Sequence, residues 1–68
     1  MAVFKKVELV GTSPTSIEDA VGGAIATASE SVRDIGWFEV REIRGRVADG
    51  AVTEYQVVIA AGFKIDSD

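Results

Sequence analysis

Trp37, the only tryptophan of this 68-residue chain, opens a strand-like run, Trp37-Phe38-Glu39-Val40-Arg41-Glu42-Ile43-Arg44. An indole there either packs into a core or a subunit interface, or presents a flat, electron-rich plate on which an aromatic ring can stack. Gln56, in the next strand-like run, is the second residue of interest, because its amide sets one acceptor beside two donors. The chain has no histidine and no cysteine. It therefore lacks a side chain that titrates near neutrality when unperturbed, a thiolate nucleophile and a zinc–thiolate site. These residue types point to binding, not to catalysis by the protein's own groups.

Three basic residues could meet an anionic group. Arg44 and Arg46 lie two apart on one face of their strand, and Lys64 falls on the same face of its strand as Gln56. The alternative is that they are solvated charges paired with neighbours such as Glu42. The eleven carboxylates show no metal-loop spacing, so no metal ligands are assigned, and bound cations would be incidental to symmetry axes. A net charge of −4 argues against a general nucleic-acid or anionic-membrane surface, which would need a basic field. No segment is apolar enough for a signal peptide or a membrane span. A soluble, cytoplasmic protein is the expectation.

The elements that must position these residues follow from hydrophobic spacing. Val3 to Val10 alternates as a half-buried strand, with Lys5 out of pattern, and Gly11-Thr12-Ser13-Pro14 is expected to end it. Thr15 and Glu18 form a capping-box pattern. From there Ile17, Val21, Ala24, Ile25, Ala28 and Val32 make a narrow helical stripe down to Arg33, rich in small residues that let a helix lie close to a sheet. Gly22-Gly23 within it is either tolerated surface glycine or a close approach by a neighbouring subunit. Gly36 suits the left-handed residue that often ends a helix. A second strand from Trp37 to about Val47, the Asp49-Gly50 turn, and a third strand from Val52 to Ile65 complete the order strand, helix, strand, strand.

In the third strand the odd positions Tyr55, Val57, Ile59, Ala61, Phe63 and Ile65 are apolar and should cover the helix. The even face is mixed, more apolar than a solvated face requires, which implies a second interface. A chain this short buries only about 60% of its unfolded surface, yet 47% of its residues are hydrophobic. Oligomerisation is the device left to a small chain without disulfides or a structural metal.

A two-residue Asp49-Gly50 turn pairs Ala48 with Ala51 and, continued down the hairpin, sets Trp37 opposite Gly62. Trp37 and Gln56 then project from the same side of the sheet, away from the helix, but roughly 20 Å apart along it. A three-ring ligand touching both must therefore lie between subunits. The pair is complementary to a flavin: isoalloxazine is a stacking plate, and its pyrimidine edge carries an N–H donor flanked by carbonyl acceptors.

Three stretches, Phe4-Lys5-Lys6-Val7-Glu8-Leu9-Val10-Gly11-Thr12-Ser13, Trp37-Phe38-Glu39-Val40-Arg41-Glu42-Ile43-Arg44-Gly45 and Glu54-Tyr55-Gln56-Val57, resemble the dodecins in order and spacing. The match covers essentially the whole of residues 1–68, read as one flavin-binding domain. The resemblance implies an α+β fold, a three-stranded antiparallel sheet wrapped around one helix, and a hollow spherical homododecamer. It implies that Trp37 stacks on isoalloxazine, with flavins paired between symmetry-related tryptophans, and that Gln56 holds the pyrimidine edge. Similarity to phosphate-tolerant bacterial members implies that Arg44 and Lys64 contact the phosphate of FMN or of coenzyme A. Lysine at 64, where an arginine could stand, weakens a bidentate grip and leaves riboflavin and FMN both open. The function implied is flavin storage and photoprotection without turnover; the rivals are a flavin-dependent enzyme and a structural module with Trp37 as interface core.

Overall fold

The structure, a computed structural model, describes residues 2–66. Its elements are β1 (Val3–Ser13), α1 (Ile17–Ala28), β2 (Ile35–Ala48) and β3 (Ala51–Asp66), and the sheet order is β1-β3-β2 with both pairings antiparallel. β1 and β2 thus run parallel on either side of β3, and α1 is the crossover that such an arrangement requires. The expected strand-helix-strand-strand order and α+β class hold.

Core packing follows the odd face of β3. Val57 and Ile59 are fully buried with Ala20, and Leu9, Ile17, Val21, Ala24 and Ile25 pack around them. Ala20 is absent from the stripe read in the sequence, yet it is the most buried residue of α1. The reason lies in β1. Gly11 faces the helix, and a Cβ there would collide with the Ala20 carbonyl oxygen. The missing side chain lets the helix backbone rest directly on the strand. Gly22 and Gly23 are exposed with nothing near them, on the helix side away from the sheet.

Element ends depart from the sequence reading for identifiable reasons. β1 does not stop at Val10: Gly11, Thr12 and Ser13 continue the ladder opposite Val57, Gln56 and Tyr55. The helix cap is Ser16, whose hydroxyl accepts from the Asp19 N–H at 2.9 Å, not Thr15. Buried Ser13 displaces the expected capping box. Its hydroxyl donates to the Asp19 carboxylate at 2.7 Å and accepts from the N–H groups of Thr15 and Ser16, which fixes the turn one residue later. At the other end the helix stops at Ala28 rather than Arg33. Tighter turns follow, from Glu30 N–H to Thr27 and from Ser31 N–H to Ala28, through serines that are weak helix formers. The left-handed residue is Asp34, with φ 62°, a conformation that aspartate tolerates better than most residues; Gly36 instead lies inside β2.

The Asp49-Gly50 turn is as expected. Both residues have positive φ, 54° and 77°, the requirement of the turn that best matches strand twist. Ala48 pairs with Ala51, and Trp37 pairs with Gly62. The register between them is not continuous. A shift between Arg46 and Val47 and another between Val40 and Glu42 cancel. Between the two, β2 is displaced by one residue, so Arg44 rather than Ile43 stands opposite Gln56.

The helix covers β1 and β3 but not β2. On β2 the residues facing the helix side, Phe38, Val40 and Ile43, are 49%, 43% and 57% exposed. Near the hairpin end, Ile17, Ile43, Val47, Val52 and Tyr55 line a shallow apolar groove of about 260 Å³ on that side.

The packing at Gly11 is directly testable. Gly11→Ala places a methyl against backbone atoms that cannot swing aside, and it should lower stability by about 1 to 3 kcal/mol. A urea midpoint that falls with an unchanged slope would show this. A midpoint equal to that of the unmodified protein would mean that α1 does not rest on β1 as described.

Candidate functional site

Residues of even number in β1 and β3 share the sheet face opposite the helix. Along it, successive rows are Phe4 with Lys64, Lys6 with Gly62, Glu8 with Ala60, Val10 with Val58 and Thr12 with Gln56. β2 adds Trp37 beside Gly62, Glu39 beside Ala60, Glu42 beside Val58 and Arg44 beside Gln56. Trp37 and Gln56 therefore occupy one face, as the hairpin argument requires, at opposite ends of it.

The indole lies across β3. A Cβ built on Gly62 would fall on its benzo ring, closer than real Cβ atoms come to any neighbour. No other amino acid leaves this resting place free. On the far side of Gly62 stands β1, and its Phe4 ring meets the indole at 6.3 Å between centroids with planes tilted by 54°, within the range favoured by aromatic pairs. Trp37 nonetheless remains 40% exposed, so a large part of the plate faces outward.

Lys6 and Glu39 frame the same end. The ammonium donates to the Glu39 carboxylate at 2.8 Å, joining β1 to β2 over the central strand. Arg41 approaches the same carboxylate at 4.0 Å. The hydrogen bond from Lys6, and then its charge, hold the Glu39 carboxyl below its ordinary value. A depressed carboxylate pKa favours the paired state above the ordinary carboxylate range and loses that advantage as pH falls through the folded value. The pair is therefore intact at neutral pH.

At the other end, Arg44 uses its guanidinium twice. Nε–H donates to the Gln56 amide oxygen, and a terminal nitrogen donates to Glu42 at 2.9 Å. An arginine is only a donor, so it fixes which way round the amide sits: Oε1 toward Arg44, the two N–H donors away from it. This pairing with Glu42 is the alternative weighed for Arg44 in the sequence. The displaced register explains it, because a continuous ladder would have put Arg44 on the helix side. Arg46 pairs with Glu54 at 3.3 Å.

Lys64 belongs to the Trp37 end. It is exposed, two residues from Gly62 on β3 and directly opposite Phe4. Arg44, in the Gln56 row, is about 25 Å away along the strand. The four residues expected to form a site thus fall into two pairs, Trp37 with Lys64 and Gln56 with Arg44, and one subunit does not bring the pairs together. Sequence reasoning missed Phe4 and the Lys6–Glu39 bridge. The signal for Phe4 was present as an aromatic at an even position of β1, on the face assigned to Trp37. Among the described residues no three side chains capable of holding a metal ion come together, and no helix is long and apolar enough to cross a membrane.

Fold and site define a small α+β protein that carries an indole platform on the open face of its sheet. The chain belongs to the dodecin family, whose sequence profile, described as Dodecin, matches residues 3–66. It is 50% identical over 64 residues to the dodecin of Thermus thermophilus, covering 94% of this chain and 93% of that protein. It is 35% identical over 65 residues to a Mycobacterium tuberculosis protein named calcium dodecin, covering 96% and 92%. A solved structure of a T. thermophilus dodecin point mutant superposes with a TM-score of 0.91 at 46% identity, covering 98% of this chain and 100% of that one. The dodecin from Streptomyces davaonensis gives a TM-score of 0.89 at 35% identity and 97% coverage of both chains.

Gly62→Ala tests the platform. The added methyl should push the indole off β3 and change the near-UV circular dichroism of Trp37 while far-UV spectra stay the same. Unaltered near-UV bands would mean that the indole does not rest on Gly62.

Proposed function

We propose that this protein binds and stores flavin, riboflavin or FMN, in pockets between subunits of a homododecamer, and protects it from light while bound. The observation that carries the reading is the indole of Trp37, held over a glycine that leaves it room and half open on the sheet face away from the core. A ring plate that accepts another ring needs both a backing and an open face, and Trp37 has both.

Membership of the dodecin family supports the ligand class and the assembly. The uncovered apolar residues of β2 support assembly independently, since Phe38, Val40 and Ile43 are large, adjacent and exposed in the single chain. Closed point-group symmetry would cover them on every copy. In this reading the flavin stacks on Trp37 of one subunit, and its pyrimidine edge meets the outward N–H donors of Gln56 from another. Arg44 holds that amide in place. Lys64, at the Trp37 end, takes the phosphate of FMN. The same basic residues make coenzyme A a phosphate-bearing ligand to titrate beside FMN. An indole in contact with excited isoalloxazine returns it to the ground state by electron donation, so storage and protection are one event. Paired flavins between indoles leave no face open to a substrate, and the protein acts as a cytoplasmic buffer without turnover. The name of the M. tuberculosis relative concerns calcium; for this chain the exposed indole over Gly62 favours a flat aromatic ligand.

Riboflavin titration tests this. Flavin emission should be quenched on binding, and Trp37→Ala should weaken binding by about 1 to 3 kcal/mol, the range for aromatic stacking on nucleobases, and remove most of the quenching. Absence of quenching by the unmodified protein would refute the reading. Wild-type-like quenching by an assembled Trp37→Ala protein would make Trp37 a packing residue.

The position of the pocket has its own test. Trp37→Ala and Gln56→Ala homo-oligomers should each bind weakly, the second because the ligand's buried edge loses partners worth roughly 1 to 3 kcal/mol. Co-assembled, they should display a minority class of tight sites with both residues present. Native mass spectrometry should show a dodecamer and confirm mixing. Mixed oligomers with no tight class would place both residues on one chain's ligand or on none.

A further inference from the structure

The indole of Trp37 rests on a residue without a side chain, and along β3 only the small Ala60 methyl and the flexible, exposed Lys64 border it on that face. Its own strand, β2, supplies the tether at Cβ but no wall. The remaining boundary is β1, and two side chains stand there on the same face: Phe4 and Lys6. Lys6 is drawn toward Glu39, one row beyond Trp37 in the direction of Gln56. The other direction, toward Lys64, is occupied by Phe4, whose ring is tilted against the indole at 6.3 Å. Phe4 is itself 48% exposed and belongs to neither the helix-side core nor the apolar groove. Its position is accounted for by its contact with the indole.

We propose that Phe4 is a positioning residue for the flavin site: its ring holds the Trp37 indole in the orientation that accepts the ligand. Gly62 supplies the space in which the indole lies, and Phe4 restricts it to one placement within that space. Because Phe4 pairs across the ladder with Lys64, the indole is stopped at the end where a ligand's charged substituent would leave the plate. The proposal rests on the flavin reading above. It differs from that reading in assigning ligand affinity partly to a residue that need not touch the ligand.

The test uses the assembled protein and riboflavin as the probe. The chain has a single tryptophan, so time-resolved anisotropy of its emission, without ligand, reports the motion of Trp37 alone. Phe4→Ala should add a fast component to that decay and weaken riboflavin binding about two- to tenfold, as expected for loss of one aromatic pair. Phe4→Tyr should restore both. Phe4→Leu keeps apolar bulk without the ring and carries the same test should the alanine variant fail to assemble, with the same direction of change in both readouts. An assembled Phe4→Ala or Phe4→Leu protein with unchanged indole motion overturns the proposal. So does one in which the indole is loosened but riboflavin binds as before. Failure of the flavin reading shows separately, as absence of riboflavin quenching by the unmodified protein.

Discussion

The ladder between β2 and β3 decides which side chains of β2 share the outer face with Gln56 and Gly62, and with the β1–β3 ladder it sets the contacts of the candidate site. Where the two strands pair in the register set by the turn, Trp37 lies beside Gly62 and the indole finds its platform. Where β2 is displaced by one residue, Glu42, Arg44 and Arg46 turn to the face of Gln56, and Ile43 turns to the helix side. A sheet face with period-two alternation cannot change its mind gradually. Two shifts of opposite sense give one strand two different assignments of inside and outside, with the aromatic pair and its ion-paired frame at the Trp37 end and the Arg44–Gln56 hydrogen bond at the other.

The sheet also explains why the single chain looks unfinished. Its single helix is laid directly on Gly11 of β1, so it sits close to β1 and β3 and does not reach a third strand. Burial of Val57 and Ile59, each worth about 1.5 to 3 kcal/mol, belongs to the part that the helix covers. Phe38, Val40 and Ile43 belong to the part that it does not. The division of the proposed site into two ends and the bare side of β2 make the same demand, for further copies of the chain.

Much of this was legible in the sequence. Alternation located all three strands, the odd face of β3 and the common face of Trp37 and Gln56, because strand period and turn chemistry are local signals. What was not legible required knowledge of a neighbour. Ser13 reads as a turn residue, yet it is buried and binds Asp19 and two backbone N–H groups, which moved the cap from Thr15 to Ser16. Ala20 looks unremarked beside isoleucines and valines until Gly11 is placed opposite it. The displacement of β2 left no mark in composition, since Val40-Arg41-Glu42 alternates acceptably in either register. That one hidden residue is why the bond from Arg44 to Gln56 is not readable from the sequence, which offers only Glu42 or a phosphate as partners for it.

The two compensating shifts bear on how the chain can vary in length. Arg41 on β2 and Thr53 on β3 are the residues without an opposite partner at these shifts, as is usual for the extra residue of a bulge. Loss of either would leave the pairs on both sides with their present partners, whereas a deletion one or two positions away would keep the outer pairs only if the bulged residue moved into the ladder in place of the one lost. Between the turn and Trp37 the ladder thus contains two places where the chain can shorten while the residues around Trp37 and Gln56 keep the company they have.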